Sequence, residues 1–327
     1  MEIIFSIDDL DTLKNVCQAN KHALSICRRY RVTLCKKFLK RYQVDYNDPD
    51  NFIYVQNNVK KEDYFSENGD PNYCELFRLY SKFYDNKEII FKSRYDGKIS
   101  SMPLFPNLDT LDCSSHNLTS LPNGMVNLKN LSCSSNKLKS LPNDMVSLIE
   151  LNCEKNELTI LPTGLLSLKI LQCGHNPLSS LPNVFQNLTF LSCVVCQLTS
   201  LPKDLHNLTT LICVNNELTS LPNGRTNLNK LYCGVNLLTF LPNDLNNVEY
   251  LTCADNSLTD LPTNMNKLIL IRIRGNQFTD EILASCNTPV SGWLMYNDID
   301  VYQQFVKGTL KNKLCGTILV IAQRHHS

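Results

Sequence analysis

Glycine is scarce, at 11 of 327 residues, and no phosphate-cradling Gly-rich motif occurs, so few loops could hold a nucleotide on backbone N–H groups. Charge imbalance is missing too. Lys plus Arg number 32 against 31 Asp plus Glu, a formal charge of +1, which supplies no overall pull toward nucleic acid or an anionic membrane. Long apolar runs are also lacking: the longest late one, Gly316 to Ala322, falls far short of the roughly 20 residues a spanning helix needs. The opening MEIIFSIDDLDTLKN has no basic stretch and puts Asp8, Asp9 and Asp11 where a signal peptide would be apolar. Neither nucleic acid nor membrane is expected as a partner, and a cytoplasmic, reducing location is.

Cysteine, by contrast, is abundant, at 15. Eight of these recur every 20 residues, at Cys113, Cys133, Cys153, Cys173, Cys193, Cys213, Cys233 and Cys253. No metal-ligand spacing resembles that interval. The eight read as a structural ladder of small buried side chains, thiols being among the most frequently buried groups. No metal or other cofactor is expected.

The same period organises residues 99 to 278. Copies of LxxLxCxxNxLTxLPxxφxN begin at Leu108, Leu128, Leu148, Leu168, Leu188, Leu208, Leu228 and Val248, with no insertion. A ninth, degenerate copy carries Leu268, Ile271, Ile273, Asn276 and Phe278, and Ile99, Met102 and Pro103 form the tail of a leading copy one residue short. A fixed period of this length signals a solenoid with atypical end copies. The pattern resembles the leucine-rich-repeat superfamily, in the short 20-residue class with LTxLP found in bacterial secreted effectors and giant-virus repeat proteins. That resemblance implies an α/β repeat solenoid, a horseshoe with short parallel strands on its concave face and a protein, of a host if the chain is viral, as ligand.

Residue chemistry supports the same architecture. In Leu111-Asp112-Cys113 the alternation has period 2, so Leu and Cys point inward and Asp112 outward. Asn136, Asn156, Asn176, Asn216, Asn236, Asn256 and Asn276 follow the strand, where an amide can satisfy backbone groups that would otherwise be buried unpaired. Pro in each LP pair favours an extended back over a long helix. His116 and Cys196 interrupt the asparagine series and read as tolerated substitutions. Arg225 replaces an apolar residue and reads as a weak spot whose head reaches water. Asn117, Asn187 and Asn207 match a glycosylation acceptor, but each is followed by a core leucine, so glycosylation is not expected.

The outward strand positions form a grid that is polar in the first copies (Asp112, Ser114, Asn130, Ser132, Ser134, Glu150, Asn152, Glu154) and apolar or aromatic in the middle ones. The last copy is basic. Ile170, Phe190, Val194, Ile212, Val214, Tyr232, Tyr250, Arg272 and Arg274 make up the expected partner-binding set, an exposed group with the residue types of an interface centre. The alternative is that strand propensity alone places Ile, Val, Phe and Tyr there.

Residues 1–98 lack the repeat and are expected to form a helical cap or domain. Helices are predicted from about Asp9 to Leu24, from Leu34 to Tyr42 and from Tyr73 to Tyr84, with a polar loop over 47–71. The stretch SIDDLDTLKNVCQANKHALSICRRYRVTLCKKFLKRY is similar to the later two-thirds of an F-box, with Ile7, Leu10, Leu13, Val16 and Asn20 on the resembling part. It lacks the family's opening Leu-Pro and first helix and has Tyr30 or Val32 in place of Trp. The resemblance implies a ubiquitin-ligase scaffold subunit as a partner; a plain cap over the first coil is the competing reading. Residues 279–327 are expected to close the other end, with short helices at Glu281–Cys286 and Ile299–Leu310 and a strand at Leu314–Ala322. They are too few for a catalytic-cysteine ligase domain, and Cys286 and Cys315 do not make a site. Arg324, His325 and His326 lack a matched ligand set. The expected function is non-catalytic protein binding, with a substrate adaptor for ubiquitin ligation as the alternative.

Overall fold

The structure, a computed structural model, describes residues 12, 15, 29–48, 51, 60–66, 69–84, 86–90, 99–224, 226–262, 264–273 and 275–278. The chain forms two compact units, Met1–Met145 and Val146–Ser327. The predicted helices at 9–24, 281–286 and 299–310, the strand at 314–322, and Arg225, Arg274, Cys286, Cys315 and residues 324–326 lie outside the described residues, as does most of the F-box-like stretch.

In the first unit, helix α1 spans Arg31–Arg41 and buries Leu34, Cys35, Phe38 and Leu39, a spacing that keeps all four on one face. Lys40 and Arg41 occupy its last turn, where cations suit the helix dipole. Helix α2, Tyr73–Ser81, starts where the Asn72 side chain accepts the Glu75 N–H at 3.3 Å, a side-chain cap on an otherwise orphaned donor. It ends three residues before the predicted Tyr84. The Lys82 and Phe83 amides bond the carbonyls of Leu79 and Tyr80, so the last turn tightens to i→i−3 and stops. The helices meet through Phe38 and Phe77, ring centroids 6.0 Å apart.

Tyr80 couples these helices to the leading coil. Its ring stacks on Phe105 at 5.4 Å and its hydroxyl donates to the Leu104 carbonyl. The Leu104 amide in turn donates to the Tyr42 carbonyl at 2.8 Å. Strand β1, Glu88–Ile90, then pairs in parallel with β2, Thr110–Asp112, which pairs with β3, Asn130–Ser132. The sheet therefore starts before Ile99, among residues assigned to the cap from sequence. Ile89 replaces the repeat leucine and Glu88 pairs with Thr110 across 22 residues instead of 20, which hides this coil from a periodicity search.

The second unit holds β4 (Glu150–Asn152), β5 (Ile170–Gln172), β6 (Phe190–Ser192), β7 (Thr210–Ile212), β8 (Lys230–Tyr232), β9 (Tyr250–Thr252) and β10 (Leu270–Arg272). Each is parallel to the next, with Leu151, Leu171, Leu191, Leu211, Leu231, Leu251 and Ile271 in one register row. All seven are buried. Every strand is three residues long because the flanking turns consume the rest of the coil. No helix occurs among the described residues from 99 to 278, as the LP pairs predict.

From β2 onward the chain leaves each strand through one left-handed residue. Ser115, Ser135, Lys155, His175, Val195, Asn215, Val235 and Asp255 have φ between 55° and 64°, and Gly275 has 67°. The reversal between the inward cysteine and the ladder asparagine takes only two intervening residues, so one of them must adopt this rare conformation. The fold is a leucine-rich-repeat solenoid.

Candidate functional site

The interior of the coils fixes where the outer residues point. The eight ladder thiols have no solvent exposure, and burial raises the pKa of those at 113, 133, 193, 233 and 253, Cys253 to about 12. A thiol held neutral is a poor nucleophile and a poor metal ligand. Among the described residues no three His, Cys, Asp or Glu are grouped to hold a metal, and none of the eleven described cysteines is in a disulfide.

Beside the thiols runs the asparagine ladder. Asn176 donates to the carbonyls of Cys153 at 2.9 Å and Cys173 at 3.0 Å, and its Oδ1 accepts the Leu158 amide at 3.0 Å. Asn136, Asn216, Asn236, Asn256 and Asn276 repeat this triad of bonds. In these six coils one amide therefore stitches the coil to the one before it.

A second asparagine series stands on the back of the coils. Asn127, Asn187, Asn207, Asn227 and Asn247 each donate to the carbonyl 21 residues earlier, for example Asn207 to Gln186 at 2.8 Å. The repeat pattern ends in this asparagine, yet its role was not read from the sequence. The signal was present: an amide recurring at the coil boundary, where turn carbonyls need a donor. The same bonds occupy the Asn187 and Asn207 amides that the glycosylation pattern had marked.

Both predicted interruptions are resolved by chemistry. His116 is buried, and its Nδ1 accepts the Ile99 amide at 3.1 Å, the bond an asparagine Oδ1 makes elsewhere. Cys196 is only half a replacement. Its thiol reaches the Cys173 carbonyl at 3.3 Å, but it offers nothing to the Leu178 amide, which turns back to the Asn176 carbonyl at 2.8 Å. Gln197 beside it is also left-handed, with φ 62°. The hydrogen bond with Cys173, acting against burial, lowers the Cys196 pKa.

On the strand face, register places Ile170, Phe190, Thr210, Lys230 and Tyr250 in one column and Gln172, Ser192, Ile212, Tyr232, Thr252 and Arg272 in a second. Val194 and Val214 belong to a third, with Gly174, Gly234 and Ala254. The structure thus brings the predicted set onto one face, apart from Arg274. These side chains are half-buried rather than exposed, and Ser192 is fully buried. Rungs about 4.8 Å apart let each side chain shield the next. Lys230 stays exposed, its ammonium 5.4 Å from the Tyr250 ring centroid.

No protein-family model and no curated protein sequence matches the chain. Solved structures do. YopM, a leucine-rich effector protein from Yersinia pestis, is 29% identical with a TM-score of 0.54 over 60% of this chain and 56% of that one. The functional domain of InlJ from Listeria monocytogenes, described as including a cysteine ladder, is 33% identical with a TM-score of 0.51 over 54% of this chain and 41% of that one. The leucine-rich-repeat protein LIC12759 from Leptospira interrogans matches at 23% identity and a TM-score of 0.51, over 64% and 70%, a likeness of fold alone. The fold of this chain is that of these leucine-rich-repeat proteins. The match spans about half the length of the YopM and InlJ structures. Among the described residues no helix is long and apolar enough to cross a membrane.

Proposed function

We propose that the chain is a non-catalytic scaffold that binds another protein on the strand face of β5–β10. The observation that carries this reading is the composition of that face: Phe190, Ile212, Val214, Tyr232 and Tyr250 lie on adjacent rungs, with Lys230 and Arg272 at one side. Aromatic and Arg side chains on a preorganised sheet are what interface centres are made of. Their half-burial makes them rigid, so little side-chain freedom is lost on docking. Eleven cysteines outside disulfides suit a reducing compartment such as a host cytoplasm. The described part of the F-box-like stretch, α1, spends its apolar face on the cap through Phe38 and Leu39, which favours the cap reading over the adaptor.

The test is a triple substitution, Phe190→Ser, Ile212→Ser and Tyr232→Ser, in the full chain. Cross-linking in the natural cytoplasm followed by mass spectrometry should show a protein partner joined to strand-face residues of the original chain and not of the variant. Circular dichroism must show the variant still folded. A partner retained by the folded variant would overturn the assignment.

A further inference from the structure

The strand face of the second unit is sorted by charge as well as by polarity. Glu150 and Glu154 stand at β4, the middle rungs carry no charge in the three outward columns, and Lys230 and Arg272 stand at β8 and β10. Glu150 and Lys230 occupy the same register column, separated by Ile170, Phe190 and Thr210. Lys155 and Asp255 are exposed on the turns beyond the third column, and Lys169 and Glu249 adjoin the first, so the polarity belongs to the three columns and not to their margins.

We propose that this face is a polarised track for an extended protein segment bearing a basic residue opposite Glu150 and Glu154, apolar residues opposite Phe190, Ile212 and Tyr232, and an acidic residue opposite Lys230. The inference rests on the protein-binding reading above. Four rungs at about 4.8 Å put roughly 19 Å between the Glu150 and Lys230 positions, which an extended chain at about 3.3 Å per residue covers in roughly six residues. Spacing of opposite charges by about six residues is therefore the signature of a partner.

The floor of the track is low because adjacent coils pack closely there. Gly174 and Gly234 have no side chain, and a Cβ there would meet the Val194 carbonyl at 3.0 Å and the Ala254 carbonyl at 3.1 Å. Ser192 and Ala254 are small and buried. Beside this low floor Tyr232 and Tyr250 rise as walls, and the Lys230 ammonium over the Tyr250 ring is held at the edge where a carboxylate would meet it. A segment of uniform charge meets repulsion at one end, so the ends reject wrong partners more than they add affinity.

A displayed library of random 12-residue peptides, selected against the full chain, tests this. Enriched sequences should carry Lys or Arg and Asp or Glu about six residues apart with apolar residues between. Binding of such a peptide should weaken with added salt and fall on the order of tenfold on Lys230→Glu. Selection on the Lys230→Glu protein should instead enrich peptides that have lost the acidic residue. Enrichment without charge spacing, but lost on the triple Ser variant, overturns the polarised track and leaves the protein-binding reading standing. Failure to enrich any peptide whose binding depends on Phe190, Ile212 or Tyr232 overturns both.

Discussion

His116 Nδ1 accepts the backbone N–H of Ile99 at 3.1 Å, so an imidazole at the head of the series performs the task of an asparagine oxygen. From Ile99 onward the leading coil is one residue short, and the bond spans 17 residues there against 18 between Asn136 and Leu118. Nδ1 stands one bond beyond Cγ, as an asparagine Oδ1 does, so the ring presents its acceptor in the same place. His116→Ala should strand a buried amide at a cost of about 1–3 kcal/mol, and His116→Asn should recover part of it. Chemical denaturation of both variants measures this, and an unchanged midpoint for the alanine variant would remove the bond from the stabilising set.

Asn216 and Cys196 make a contrasting pair. Asn216 Oδ1 accepts two amides, from Cys196 at 3.1 Å and Leu198 at 3.0 Å, while its Nδ2 donates to the Cys193 and Cys213 carbonyls. Asn216→Ala should cost about 2–3 kcal/mol or more. Cys196→Asn should do the reverse, gaining about 1 kcal/mol as the Leu178 amide regains its side-chain acceptor. A destabilised Cys196→Asn protein would show that the fifth coil has settled around the thiol.

Val195 and Val235 hold φ of 56° and 55°, a conformation that costs a β-branched residue about 1–2 kcal/mol. Both are exposed, at 36% and 45%, so little packing is lost on replacement. Val235→Asn should raise the thermal midpoint by a few degrees, equivalent to about 1 kcal/mol. The same change at the neighbouring but ordinary Leu237 should not, and equal shifts at both sites would refute the strain argument.

Alkali should loosen the thiol ladder. Burial lifts the Cys253 pKa from 9.0 to about 12, so the folded chain holds this proton where the unfolded chain releases it. The stabilisation is complete below about pH 9 and is lost as pH rises from there through about 12. By pH 10 one such thiol costs about 1 kcal/mol. Urea unfolding of Cys253→Ala should therefore weaken less between pH 8 and 10 than that of the parent chain. Identical pH slopes would place the alkaline loss elsewhere, on tyrosines or lysines.

Most of the coil was legible because it is local and repeated. Leu, Cys and Asn recur at positions where burial and backbone satisfaction each demand one residue type, and eight copies average out the exceptions. The leading strand at Glu88–Ile90 was not legible, since a single coil with altered spacing has nothing to average against. The strand-face residues could be placed on one surface from period 2 alone. Their half-burial could not, because it comes from neighbours 20 residues away in sequence and one rung away in space. The back asparagines were visible as letters without a role, their acceptor carbonyls being set by the turn geometry of the preceding coil.

The uninterrupted 20-residue interval from Leu108 to Pro262 has a genetic corollary. A module whose two amide series depend only on its nearest neighbours can be duplicated or excised whole without any other part of the chain being rebuilt. Length, and with it the distance between the acidic and basic margins, then varies in steps of one module. Descendants of a single ancestral gene could diverge in what they grip by slippage of whole units, long before point substitution altered any one of them.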